Sequence, residues 1–369
     1  MPAARDPWFD NAKMALVTLV VVGHALTLLP DTAFNEHLYD FLYAWHVPAF
    51  VLVTGYLSRS FTWEGRRMWQ LLRTVVVPYV VFECAIALFR IHVGGERMED
   101  LFTDPHWPMW YLSALFFWRL ATPIFKRLPG ALVVALAISV LAGLYAGDTL
   151  DLARVLGLLP FFVMGLHATP ERLKLLRRPA VRATAALFFV GVWVMTTWTD
   201  QLAETEWLYY RARYAEFDVS DSEAFLIRAV VLLVGTLGAW SFLALVPRVG
   251  GWFSRMGAWT LVVYLFHGFA VKGAAYAGYD DWADAHGTFA LLLTLVASVA
   301  LSFLLAWRPV ASRLNHLVDP LGYAERRVKE AHATVNAKAE TDVISEAVED
   351  ATLRAMPEPV DASSDRASR

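Results

Sequence analysis

Arg5-Asp6-Pro7-Trp8-Phe9-Asp10-Asn11-Ala12-Lys13 opens into an apolar run that reaches Leu29, broken only by Thr18, Gly23, His24 and Thr27. The run between Lys13 and Pro30 is long enough to cross a bilayer as a helix. Lys13 and His24 lie eleven positions apart. That is almost three helical turns, so both side chains share one face roughly 16 Å apart along the axis. Asp10 falls within about 40° of that face. A carboxylate, an ammonium and an imidazole therefore line one stripe of a membrane helix, where charged groups are costly and mark function.

Composition extends the membrane reading to most of the chain. Of 369 residues, 57% are hydrophobic and only 18% charged, and the mean hydropathy is +0.44. These values belong to a chain embedded in lipid. A net charge of −3 gives no reason to expect a nucleic-acid partner. The single cysteine, Cys84, excludes an intramolecular disulfide and a cysteine-based metal cage, and no metal site is expected. No small-residue cleavage pattern follows the first run, so it is expected to be retained.

Apolar stretches of spanning length recur at 12–29, 39–57, 71–91, 110–124, 129–146, 154–167, 182–199, 224–246, 257–276 and 287–307. The expected fold is an all-α polytopic membrane protein with about ten transmembrane helices. The spans at 110–124 and 154–167 are short and are expected to be tilted or interrupted. No internal repeat is evident, which argues against a symmetric transporter. Loop charge orients the spans. The loops at 31–38, 92–109, 147–153, 200–223 and 277–286 hold eighteen acids and only Arg97, Arg211 and Arg213 as bases, whereas Arg5, Arg59, Arg66, Arg67, Lys126, Arg127, Arg172, Lys174, Arg177, Arg178, Arg248 and Arg255 lie on the other side. Basic loops stay in the cytoplasm, so both termini are expected there. Residues 1–310 form the expected membrane domain and 311–369 a polar cytoplasmic tail, with a surface helix over 326–353 and a disordered end.

Polar groups recur at one depth. Counted from the inner end of its span, each of His24, His46, Glu83 and His267 stands roughly 15–18 Å in, close to the midplane. A buried histidine can simply bond a neighbouring carbonyl, but a carboxylate such as Glu83 needs a proton or a cation at that depth. His167 is expected to be interfacial. A basic cluster of Arg66, Arg67 and Arg73 lies on the inner side. With Lys13 it would suit a phosphorylated ligand, while the positive-inside rule alone explains Arg66 or Arg67.

Lys13-x10-His24, preceded by Arg5, Phe9-Asp10 and Asn11, resembles the signature of the membrane acyltransferase-3 family, most closely its fucose 4-O-acetylase-like branch. Further segments are similar in the same order. They are Trp45-His46-Val47-Pro48-Ala49-Phe50 with Thr54-Gly55-Tyr56, Arg73 to Pro78-Tyr79, Met109-Trp110-Tyr111-Leu112, Leu159 to Gly165, and Val263-Tyr264-Leu265-Phe266-His267-Gly268. Members often carry Arg where this chain has Lys13, and Ser where it has Thr54. Lysine keeps the charge but loses the bidentate fork.

The resemblance implies an enzyme of a bacterial plasma membrane that takes an acetyl group from acetyl-CoA and esterifies a carbohydrate or glycoconjugate hydroxyl. His24 would be the general base, or would carry the acyl group itself. Asp10 would pair with Lys13. Lys13 and Arg73, with Arg66 or Arg67, would hold the CoA phosphates. Glu83, His46 and His267 would orient the base or the acceptor. Trp110 and Tyr111 would face the sugar, unless they are belt anchors, and the aromatic loop 200–223 would shape the site from outside. The alternative is a transporter or flippase for a sugar-like or anionic solute, with the midplane groups as its binding site.

Overall fold

The computed structural model describes residues 6–97, 102–105, 107–147, 149–198 and 204–355. The helix at its centre is α1, Pro7–Leu26. Asp6 caps it by accepting the Trp8 amide at 3.0 Å, and Pro7 fills the first helical position, where a missing N–H costs nothing. Ala12, Met14, Leu16, Val17 and Val21 are all fully buried. Other helices therefore surround α1 on every side, which frees its polar stripe from lipid.

The chain after α1 runs through α2 (Ala33–Tyr43), α3 (His46–Ser58), α4 (Gly65–Leu71) and α5 (Val77–His92). A π-helical turn, Leu72–Val76, joins the last two. Next come α6 (Trp110–Arg127), α7 (Ala131–Tyr145), α8 (Leu152–Gly157), α9 (Leu159–Leu166), α10 (Pro170–Leu175) and α11 (Pro179–Met195). The membrane unit closes with α12 (Asp221–Leu245), α13 (Trp252–Met256), α14 (Thr260–Tyr276), α15 (Tyr279–Ala306) and α16 (Arg308–Val318).

All ten expected spans fall on helices. By length and composition, six of the described helical stretches can cross a membrane, or seven when the bent pair at 149–166 counts as one. That pair bends by 58°, which is the interruption expected of the short span at 154–167. The stretch 39–57 is also broken, because α2 ends at Tyr43 and α3 begins at His46. Leu187, Val190 and Val194 on α11 and Leu292, Leu293 and Val296 on α15 point outward and are exposed, as faces meeting lipid chains must be.

With no hydrophobic drive between helices in lipid, close approach of backbones supplies the packing. The α3–α9 contact is built this way, Gly55 lying against the backbone of Phe162 and Gly165 against that of Leu52.

The compact membrane unit extends to Asp319, beyond the boundary at 310 expected from composition. The cause is α16, whose Ala311 and Val318 are buried. A separate helix, α17, spans Pro320–Ala355, longer than the 326–353 expected. The tail end, from 356, lies outside the described residues.

Candidate active site

His24 stands in the last turn of α1. The helix begins at Pro7 rather than near residue 12, so His24 is farther along it than the expected depth count placed it. Its Nδ1 is 2.8 Å from Nε2 of His267 on α14, and the two rings stack with centroids 5.0 Å apart. Nδ1 of His267 in turn lies 3.2 Å from the Val263 carbonyl. A carbonyl only accepts, so in the neutral pair His267 carries its proton on Nδ1 and its Nε2 is the acceptor. His24 must then donate from Nδ1, which leaves its Nε2 with the free lone pair. His267 is fully buried behind His24. One histidine thus fixes the tautomer of the other.

His24 lines a cavity of about 210 Å³ together with His46, Trp107, Trp110, Tyr111 and Arg154. Tyr39, Tyr43, Leu208 and Tyr209 complete much of its wall. Nδ1 of His46 donates to the Leu42 carbonyl at 2.8 Å, so the Nε2 lone pair of this ring is free as well. The Trp107 ring centroid is 4.2 Å from that of His24, and the neighbouring Pro108 carbonyl accepts a bond from the Tyr264 hydroxyl. Arg154 is held at 2.9 Å by Asp151 and lies over the Trp110 ring at 5.1 Å. Flat aromatic walls with a few fixed polar groups suit the apolar faces and hydroxyls of a sugar.

A second cavity, of about 230 Å³, shares Phe50, Tyr111 and Tyr264 with the first. Lys13, Arg119, Thr54 and Thr74 line it. Lys13 is bound to Asp10 at 2.8 Å, one turn back on the same face, as the spacing predicts. The Tyr111 and Thr54 hydroxyls are hydrogen-bonded at the wall between the two spaces.

The sequence-derived candidates divide accordingly. His24, His46, Trp110 and Tyr111 meet at the first cavity, with His267 behind His24, and Lys13 and Tyr111 meet at the second, with Asp10 attached. Glu83 is fully buried on α5 but lines neither cavity. Nor does Arg73, whose Nε faces Asp319 at 3.4 Å. Arg66 is exposed and Arg67 half-buried on the short α4, away from both linings. His167, expected at the interface, bonds the Phe125 carbonyl at 2.9 Å.

Arg119, Arg154 and Trp107 were not singled out by the spacing arguments, although an arginine inside an apolar run is itself a signal. Among the described residues, no three His, Cys, Asp or Glu side chains group as a metal site requires.

The loop expected to shape the site does so in two layers. Leu208 and Tyr209 reach the first cavity, and Tyr209 donates to the Tyr39 hydroxyl at 2.9 Å. Behind them Arg228 of α12, only 2% exposed, sits 4.8 Å from the Tyr210 ring, 5.6 Å from Tyr214 and 5.8 Å from Trp207. Its Nε and Nη1 make no hydrogen bond among the described residues, and ring faces hold the cation. Arg228→Ala empties this cage and is expected to lower stability by about 3 kcal/mol, as core truncations do. Limited proteolysis should then cut within 204–217 first.

The chain belongs to the acyltransferase-3 family, whose acyltransferase domain it matches over residues 6–307. It is also similar to nodulation protein NolL of Mesorhizobium japonicum, 28% identical over 186 residues, which cover 45% of this chain and 48% of that protein. The matched part is therefore about half of that relative's length. No solved structure matches the chain significantly.

Proposed function

We propose that the chain moves an acetyl group from acetyl-CoA to a hydroxyl of a carbohydrate or glycoconjugate, with His24 as general base. The observation that carries this reading is the His24–His267 pair. It leaves an unprotonated Nε2 on the wall of one cavity, and that cavity adjoins another lined by Lys13 and Arg119. The acceptor hydroxyl gives its proton to His24 Nε2 as its oxygen attacks the thioester carbonyl. The C–S bond then breaks, and the departing thiolate takes that proton from the imidazolium. His267 holds the ring in the one tautomer that can do this. Direct attack and an acetyl-His24 intermediate use the same nitrogen.

The donor fits the second cavity by charge. Lys13 and Arg119 present two cations between apolar walls, which suits a phosphorylated carrier with a long neutral arm. By the positive-inside rule this end faces the cytosol, where acetyl-CoA is made, and the aromatic cavity faces outward with the sugar. Arg73 joins the phosphate site only by exchanging Asp319 for the ligand. The likeness to NolL is compatible with a carbohydrate-type acceptor in a bacterial plasma membrane.

The test is donor kinetics on the purified chain in nanodiscs with radiolabelled acetyl-CoA. Lys13→Gln and Arg119→Gln are each expected to raise the donor KM about tenfold, the loss of one charge-assisted contact, with kcat changed less. Lys13→Arg should keep wild-type affinity. Unchanged donor affinity in both glutamine variants would remove this cavity from the reading.

A further inference from the structure

A cluster of arginines gathers beside the start of α1. Arg177 and Arg178 lie in the turn between α10 and α11, Arg182 in the first turn of α11, and Arg248 in the segment between α12 and α13. Leu176, Ala185 and Val246 pack in one apolar cluster with Trp8 of α1, which brings these segments together. The first three arginines are exposed, and none of the four forms an ion pair among the described residues. A helix N-terminus favours negative charge, yet α11 has no acid in its first turn and no side-chain cap.

Arg248 is the half-buried member. Its guanidinium carbon stands 4.2 Å over the Trp8 ring, and Trp8 Nε1 donates to the Leu243 carbonyl at 3.2 Å, which fixes that ring. The Nε and Nη2 atoms of Arg248 are buried and have no hydrogen-bond partner among the described residues. Burial, then the Arg177 and Arg182 charges, pull this guanidinium below its ordinary value, and Asp6 works against them. The Asp6 carboxylate already accepts the Trp8 amide at 3.0 Å. Like charges thus crowd a cation whose N–H groups are unmet, a cost that one bound anion relieves.

We infer that Arg248, with Arg177 and Arg182, binds the phosphate of an anionic phospholipid at the end of the bundle that the positive-inside rule puts in the cytoplasm. Position selects a lipid over a soluble phosphate. Leu187 of α11 and Leu237 of α12 are both exposed, each eight positions from the end of its helix nearest the cluster. Acyl chains therefore find an apolar bed beside the cations, as in the basic pockets between helix ends that take such head groups. The cluster is not the proposed donor site. Trp8 and Lys13 are five positions apart, about 140° round α1, and none of the four arginines lines the Lys13 cavity.

The lipid acts on α1 through the neighbours of Arg248. Asn11 donates from Nδ2 to the Pro247 and Val249 carbonyls at 2.8 and 3.1 Å, the residues on either side of that arginine. Neutralising Arg248 therefore steadies the segment that anchors the start of the helix carrying Lys13 and His24. The site is independent of the acyl-transfer reading.

The experiment offers the full chain in detergent an equal mixture of phosphatidylglycerol and phosphatidylcholine and counts retained lipid by native mass spectrometry. Wild type is expected to prefer phosphatidylglycerol about tenfold, the worth of one charge-assisted contact, because choline carries a cation toward the arginines. Arg248→Gln and Arg182→Gln should each remove most of that preference. The exposed Arg182 serves where Arg248→Gln, by uncovering Trp8, fails to fold. Arg127→Gln, at an exposed arginine of α6, should leave the preference intact. Phosphatidylglycerol should raise the unfolding temperature of wild type, and glycerol 3-phosphate should not. Equal retention of the two lipids by wild type overturns the site. So does a loss in Arg127→Gln as large as in Arg182→Gln, which would make the preference a matter of surface charge alone. Stabilisation by glycerol 3-phosphate equal to that by the lipid would assign the arginines to a soluble anion instead.

Discussion

His24→Ala is expected to lower acyl transfer by about a thousandfold, the range lost with a general base, while acetyl-CoA binding persists. Stopped-assay turnover of radiolabelled acetyl-CoA beside equilibrium binding separates the two. The partner histidine makes a sharper test. His267→Gln keeps an amide oxygen able to accept from His24 Nδ1–H, whereas His267→Leu leaves that donor without a partner and lets the ring take the wrong tautomer. Leucine should therefore cost at least tenfold more than glutamine in kcat, with donor KM unmoved. If the two variants behaved alike, the tautomer lock would have no catalytic role.

The largest stability effect is expected at the α3–α9 crossing. A Cβ at Gly165 would lie 2.1 Å from the Leu52 carbonyl oxygen and 2.8 Å from the Tyr56 nitrogen, and one at Gly55 would lie 2.1 Å from the Phe162 oxygen. Backbone atoms cannot rotate aside, so the two helices must part. Gly55→Ala and Gly165→Ala are each expected to destabilise by about 3 kcal/mol, the upper end of overpacking costs. Because α3 carries His46, Phe50 and Thr54 into the cavities, activity should fall with stability. Gly191→Ala on α11 is the control. Among the described residues nothing lies within 4 Å of its added Cβ, so thermal unfolding in detergent should leave it near wild type.

Membrane residence and the all-helical class were legible because spanning length and apolar content are local properties. The Asp10–Lys13 pair was legible for the same reason, since three residues on one helix settle it. His24, His46 and His267 were flagged by the cost of polar groups in lipid; the first two line one cavity and His267 backs His24. The same signal raised Glu83, which the packing of α5 buries elsewhere. What could not be read were relations across helices. Arg73 was matched to a ligand because its partner Asp319 lies 246 positions away. The breaks before His46 and before Leu159 turn side chains onto faces that an unbroken span would not give them. Arg119 and Arg154 shortened the apolar runs around them, so they registered as weak spans rather than as cavity residues.

The wall of Phe50, Tyr111 and Tyr264 between the two central cavities has an electrical consequence. An energised membrane places about 2.3 kcal/mol on each charge per 100 mV, and an open aqueous bore through this protein would dissipate that store. Three ring systems, two of them with their hydroxyls already tied to Thr54 and Pro108, stand between one chamber and the other. An acetyl unit is neutral and small. On the proposed reading, such a unit is handed from one side of the bilayer toward the other while ions stay where they are, so the modification would draw on thioester energy alone and leave the membrane charged.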